Sequence, residues 1–194
     1  MSNLDIIKHS FEKTCNTISE TFQNDILMMK VDAASKLLIQ TFQNGGKVML
    51  AGNGGSAADS QHICAEFVGR LNFDRKPLPA IALTTNTSNL TCIANDYGYD
   101  DIFSRQLEAL ANSNDTLIVY TTSGKSKNII NLVNKAKPMV SSIIALTGCY
   151  TQELEEQCDE ILSVNSSQTT KIQEAHAIIG HVLCECVEEA LFTK

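Results

Sequence analysis

His62 and Glu66 stand four positions apart in the segment 47–70, KVMLAGNGGSAADSQHICAEFVGR. On a helix that spacing puts both side chains on one face, about one turn (roughly 5.4 Å of pitch) from each other. An imidazole and a carboxylate so placed suit two ligands of one metal ion, or a base beside a polarising partner. The plainer reading is a solvated i,i+4 pair. A glycine-rich turn two helical turns earlier favours the chemical reading.

In that turn Gly52, Gly54 and Gly55 let the backbone approach a ligand closely, and the helix that follows aims its N–H groups at the same place. An anion site is expected; a tight βα turn without a ligand is the alternative. Gly52, Gly54 and Ala57 also satisfy G-x-G-x-x-A, but the second strand segment, AIALTTNTS, lacks the carboxylate that a dinucleotide ribose requires. A dehydrogenase is therefore disfavoured. A second loop, in TLIVYTTSGKSKNII, gathers Thr121, Thr122, Ser123 and Ser126 around Gly124. Four hydroxyls at a helix start can surround the terminal oxygens of a phosphate monoester, or can simply cap the helix. Its Gly-Lys-Ser triplet is not a nucleotide P-loop, because Val119 occupies the position of the first glycine.

The last helical segment carries Gln173, Glu174, His176 and His181. Around a helix His181 lies about 20° from Glu174 and about 80° from Gln173, so periodicity pairs the imidazole with the acid. Gln173 and His181 are also about 12 Å apart in rise, and share a metal only if both lean inward or the site spans subunits. His9 and His176 are assigned to surface or packing. The seven cysteines are odd in number and form no C-x-x-C, which fits structural thiols in a reducing cytoplasm.

Five short apolar runs, 47–51, 80–84, 116–120, 142–146 and 160–164, are spaced widely enough for helical crossovers. They predict an α/β fold with a five-stranded parallel sheet flanked by helices. Helical patterns fill 57–68, 88–94, 102–111, 126–136 and 153–158, with two more helices at 4–22 and 26–43 and a long C-terminal one at 170–192. Residues 1–194 read as one domain, 1–44 being a helical pair packed on the core or on a neighbouring subunit, and 45–194 the α/β core. Apolar helices outside such a core point to an oligomer. Twenty-two acids against fifteen scattered Lys and Arg, a net charge of −7, argue against nucleic acid as a partner. No apolar run approaches the roughly 20 residues that span a bilayer, so no membrane association is expected and the cytoplasm is the expected location.

Taken in order, AGNGGSAADSQHICAEFVGR, PLPAIALTTNTSNLTCIANDYGYDDIFSRQLEAL, TTSGKSKN, IIALTG and KIQEAHAIIGHVLCECVE closely resemble the bacterial phosphoheptose isomerases of the sugar isomerase (SIS) fold. The resemblance spans 46–188, and the N-terminal helical pair also fits. It implies a homotetramer that converts sedoheptulose 7-phosphate into D-glycero-D-manno-heptose 7-phosphate. Carried over by position, it implies Glu66 and His181 as the acid–base pair, and one Zn²⁺ per subunit on His62, Glu66, Gln173 and His181. It further implies Asn53, Gly54, Gly55, Glu66, Asn95, Asp96, Thr121, Thr122, Ser123, Ser126 and Gln173 as contacts to a small phosphorylated sugar. Thr121 stands where many relatives have Ser, and Lys125 where many have Asn; both changes keep hydrogen bonding. Rival readings are a non-catalytic SIS-fold protein that binds a replication initiator or senses a phosphosugar, and an isomerase for another phosphosugar. Glu66 and His181 argue for the enzyme, since a pure binder has no chemical use for them.

Overall fold

The computed structural model describes residues 1–193. Two helices open the chain, α1 (Asn3–Phe22) and α2 (Asp25–Gln43). Ser2 and Asp5 close a capping box on α1, and Asn24 caps α2 through Ile26 N and Leu27 N. The alternating core follows as β1 (Val48–Gly52), α3 (Gly55–Val68), β2 (Ala80–Ala82), α4 (Thr87–Asp96), α5 (Ser104–Leu110), β3 (Thr116–Thr121) and α6 (Lys127–Ala136). The fold closes with β4 (Ser142–Thr147), β5 (Glu160–Ser163) and α7 (Thr169–Phe192). All strand pairs are parallel, in the order β2-β1-β3-β4-β5.

Strand residues alternate between two cores, as the period of two demands. Val48, Leu50, Ile118, Tyr120, Ile144 and Leu146 face α2, α3 and α7, whereas Met49, Ala51, Leu117, Val119, Ile143 and Ala145 face α4, α5 and α6. A sheet buried on both faces explains why the strand segments lacked polar alternation.

One expected element is absent: 153–158 is a run of turns, with Leu154 N, Gln157 N and Cys158 N bonding back three or four residues. Six residues give less than two helical turns, too few to offset the cost of nucleation, and Leu154 alone among them is fully buried. The helix expected over 102–111 begins only at Ser104, after a 3₁₀ turn at Tyr99–Asp101. Among the described residues no helix is long and apolar enough to cross a membrane. Cys184 is buried and Cys64, Cys158 and Cys186 half-buried, but Cys15, Cys92 and Cys149 are exposed, so packing accounts for four of the seven thiols.

Candidate active site

The glycine loop leaves the C-terminal end of β1 and the hydroxyl loop that of β3. These strands are neighbours, and β1 connects onward to β2 on its other side, so the crevice between them is the topological switch point where open α/β sheets bind ligands. A cavity of about 270 Å³ lies there. Asn53, Gly54, Gly55 and Ser56 line one wall, Tyr120, Thr121, Thr122 and Ser126 the other, and Thr169 and Gln173 of α7 close it.

Local backbone geometry explains the residue types. Gly54 heads α3 at φ +57°, and a Cβ on Gly55 would lie 2.5 Å from Gln173 Nε2, so only glycine lets α7 press its carboxamide onto this loop. Gly124 is likewise held at φ +63° against the Tyr150 carbonyl. Thr121 Oγ1 accepts from Gly124 N at 3.2 Å, which shapes the turn. Ser126 occupies the N-cap of α6, yet its side chain makes no cap hydrogen bond, and its hydroxyl is free to meet a ligand at the helix start. Ser123 departs from expectation: it is exposed, accepts from Lys125 N, and does not line the cavity.

Asn53 is locked in one orientation. Its Oδ1 accepts from Asn128 Nδ2 (2.8 Å) and Tyr99 Oη (3.0 Å), while its Nδ2 donates to Asn128 Oδ1 (2.9 Å). The second Nδ2 proton is left for a ligand. Asn95 and Asp96 do not join this cavity in the single chain; they are exposed at the end of α4 and bond one another at 2.7 Å.

The other end of α3 carries the reactive groups. His62 Nε2 lies 2.8 Å from His181 Nε2, with the rings nearly perpendicular, and 3.6 Å from Glu66 Oε1. One ligand atom from each of the three residues falls within 4.8 Å of the others. Two imidazole nitrogens this close either share a proton or turn both lone pairs toward one cation. Two nitrogens and a carboxylate are a donor set that Zn²⁺ accepts. Asp59, one turn before His62, has a buried Oδ2 without a partner, and burial pushes its carboxyl above the usual range against the pull of the His62 imidazole. His176 is the buried packing residue: burial lowers it to about 4, against the opposing effect of its bond to the Thr147 carbonyl.

The pairing that periodicity favoured is not the one made. Glu174 points to solvent and pairs with Lys171 (3.1 Å), leaving His181 to His62. Nor do Gln173 and His181 meet at one point of α3. The helices run parallel, with Gln173 against Gly55, Gly180 against Ile63 and His181 against His62. Gln173 therefore belongs to the cavity end, and His181 stands with His62 and Glu66 about two turns further on. Tyr99 and Asn128, which orient Asn53 from 46 and 75 positions away, carried no local signal in the sequence.

Comparison with known proteins places the fold and the family. The SIS domain family matches residues 10–148. The phosphoheptose isomerase of Burkholderia pseudomallei (strain 1710b) is 47% identical, covering 98% of this chain and 97% of the relative. Among solved structures, a phosphoheptose isomerase from Francisella tularensis superposes with a TM-score of 0.92 at 37% identity, covering 97% of this chain and all of that one. Phosphoheptose isomerase GmhA from Neisseria gonorrhoeae gives 0.90 at 36% identity, with the same coverage.

Proposed function

From the premise that the chain belongs to the SIS domain family, among its phosphoheptose isomerases, we propose that it converts sedoheptulose 7-phosphate into D-glycero-D-manno-heptose 7-phosphate in heptose biosynthesis. The observation that carries the reading is the pairing, along α3 and α7, of an anion-suited cavity at one end with an imidazole–carboxylate cluster at the other.

An aldose–ketose isomerisation moves a proton from C1 to C2 through an enediol. We assign Glu66 as the base that takes the C1 proton and returns it to C2. His181 moves the second proton: it donates to O2 as the enediol forms and accepts from O1 as the aldehyde appears. No atom is gained or lost. Thr121, Thr122, Ser126 and the start of α6 hold the phosphate, with Ser123 at the loop's outer edge, while Asn53, Gly54, Gly55 and Gln173 hold the sugar chain. Asn95 and Asp96 are assigned to the substrate on the resemblance alone.

Three of the four implied metal ligands, His62, Glu66 and His181, converge in one chain, which supports a Zn²⁺ there; the fourth, Gln173, stands about two turns away against Gly55 and is left to the sugar chain. Bound zinc would supply positive charge for the developing enediolate. We further infer a homotetramer in the cytoplasm, supported by the apolar side chains that α1 leaves exposed and by seven free thiols.

The test is an assay with sedoheptulose 7-phosphate. Glu66→Gln keeps shape and one ligand oxygen but removes the base, so turnover is expected to fall about 10² to 10⁴-fold while substrate binding survives. Near-normal turnover by the folded variant would rule out the assigned base. Zinc is checked separately: zinc-loaded protein should retain about one equivalent per chain by elemental analysis, and His62→Ala should lose it. Metal-free protein with full activity sinks the zinc assignment without touching the isomerase reading.

A further inference from the structure

Arg75 and Glu188 form a buried ion pair, Nε to Oε1 at 2.7 Å, with both side chains almost wholly removed from solvent. Neither lines the cavity, and neither hydrogen-bonds the side chains of His62, Glu66 or His181. What they touch is the end of α3. Arg75 Nη2 donates to the Glu66 carbonyl at 2.7 Å, and Nη1 donates to the Phe67 carbonyl at 2.9 Å and reaches the Gly69 and Lys76 carbonyls. A helix leaves its last carbonyls without intrahelical donors, and here one guanidinium supplies them. Glu188 sits on α7 two turns beyond His181, and its carboxylate also accepts from Leu71 N (3.1 Å) and Asn72 N (2.8 Å). Burial would raise its carboxyl, but those two amides and Arg75 outweigh it and hold it below the usual range, as an anion.

This pair is costly to build, since two charges have been taken out of water. Its placement gives a reason. The carboxylate is fixed to the helix that carries His181, and the guanidinium to the last turn of the helix that carries Glu66. We propose that Arg75 and Glu188 are positioning residues for the isomerisation: together they clamp the C-terminal turn of α3 to α7 and thereby set Glu66 and His62 against His181. This rests on the isomerase reading above. The phosphate loop lies beside the start of α3, eleven residues before Glu66, so the clamp acts on turnover and not on phosphate binding.

The test uses full-length protein and two variants. Arg75→Met with Glu188→Met removes both charges at once, so that neither is stranded; such paired replacements are often neutral for stability. Arg75→Lys is the milder variant, keeping the charge but offering a point donor where a fork reaches five acceptors. Turnover is expressed per folded molecule, with the folded fraction taken from circular dichroism. Expected are a fall in kcat of about tenfold or more in the double variant, a smaller fall in Arg75→Lys, and KM for sedoheptulose 7-phosphate within about twofold of wild type. Side-chain ¹⁵N signals of His62 and His181 should shift in both variants, because their contact loosens; this readout needs no activity. Wild-type kcat per folded molecule with unmoved histidine signals, in either folded variant, overturns the proposal. A wild-type protein inactive on sedoheptulose 7-phosphate overturns the substrate reading instead, and the histidine signals still decide the clamp.

Discussion

Ser126 heads α6 without bonding any first-turn amide through its side chain, so the capping role that competes with ligand binding is not the one it plays. Ser126→Ala should therefore leave thermal stability near wild type and raise KM for the phosphorylated sugar about five- to thirtyfold, the roughly 1 to 2 kcal/mol of one hydrogen bond to a charged group. A lowered melting temperature with unchanged KM would reassign it as a cap. At this scale the sequence was informative where the cavity is lined by a loop between a strand and a helix, as at Gly54, Thr121, Thr122 and Ser126. It was silent on Tyr99 and Asn128, whose importance lies in contacts across 46 and 75 positions, and on Arg75 and Glu188, 113 apart. Asn95 and Asp96 came from resemblance, and the single chain leaves them outside the cavity.

Helices α3 and α7 make the site, and the close approach of one to the other depends on Gly180. A Cβ there would lie 2.7 Å from the Ile63 side chain and 3.2 Å from Tyr120 Oη, immediately beside the His62–His181 contact. Gly180→Ala is expected to force the helices apart or displace Ile63, costing about 1 to 3 kcal/mol of stability by urea denaturation, the usual price of overpacking. Turnover should fall with it, because His181 moves away from His62; a variant as stable and as active as wild type would mean that the interface yields freely. The elements were largely legible, since buried parallel strands and their crossovers have distinct periods. The parallel alignment of α3 with α7 was not, because a helical wheel ranks the neighbours of His181 on its own helix and knows nothing of a facing one. That is why Glu174 looked the better partner and His62 proved to be the actual one. The turn at 153–158 failed for the opposite reason: a local pattern too short to propagate.

The molecule as a whole leaves one element unexplained by its own packing. Helix α1 has 20 residues, of which only Thr21 is fully buried, while Leu4, Ile7 and Phe11 are 59%, 51% and 69% exposed. Nearby on α2, Ile26 and Met29 are also more than 60% exposed. A helix that buries so little is marginal on propensity alone, and an apolar surface of this kind marks an interface. In the homotetramer proposed above, these side chains meet those of other copies. Light scattering should then give wild-type protein a mass near four times the 21.2 kDa of the chain. Ile7→Glu with Phe11→Glu places charge on the covered face, where burying it unpaired is costly, and should shift the mass to dimer or monomer. Circular dichroism on the same sample should show lost helix, since α1 then keeps only its contacts with α7 and α2 and leaves its apolar face in water. A wild-type chain that runs as a monomer, or a doubly charged variant that keeps both mass and helix content, would mean that α1 is stabilised within its own subunit.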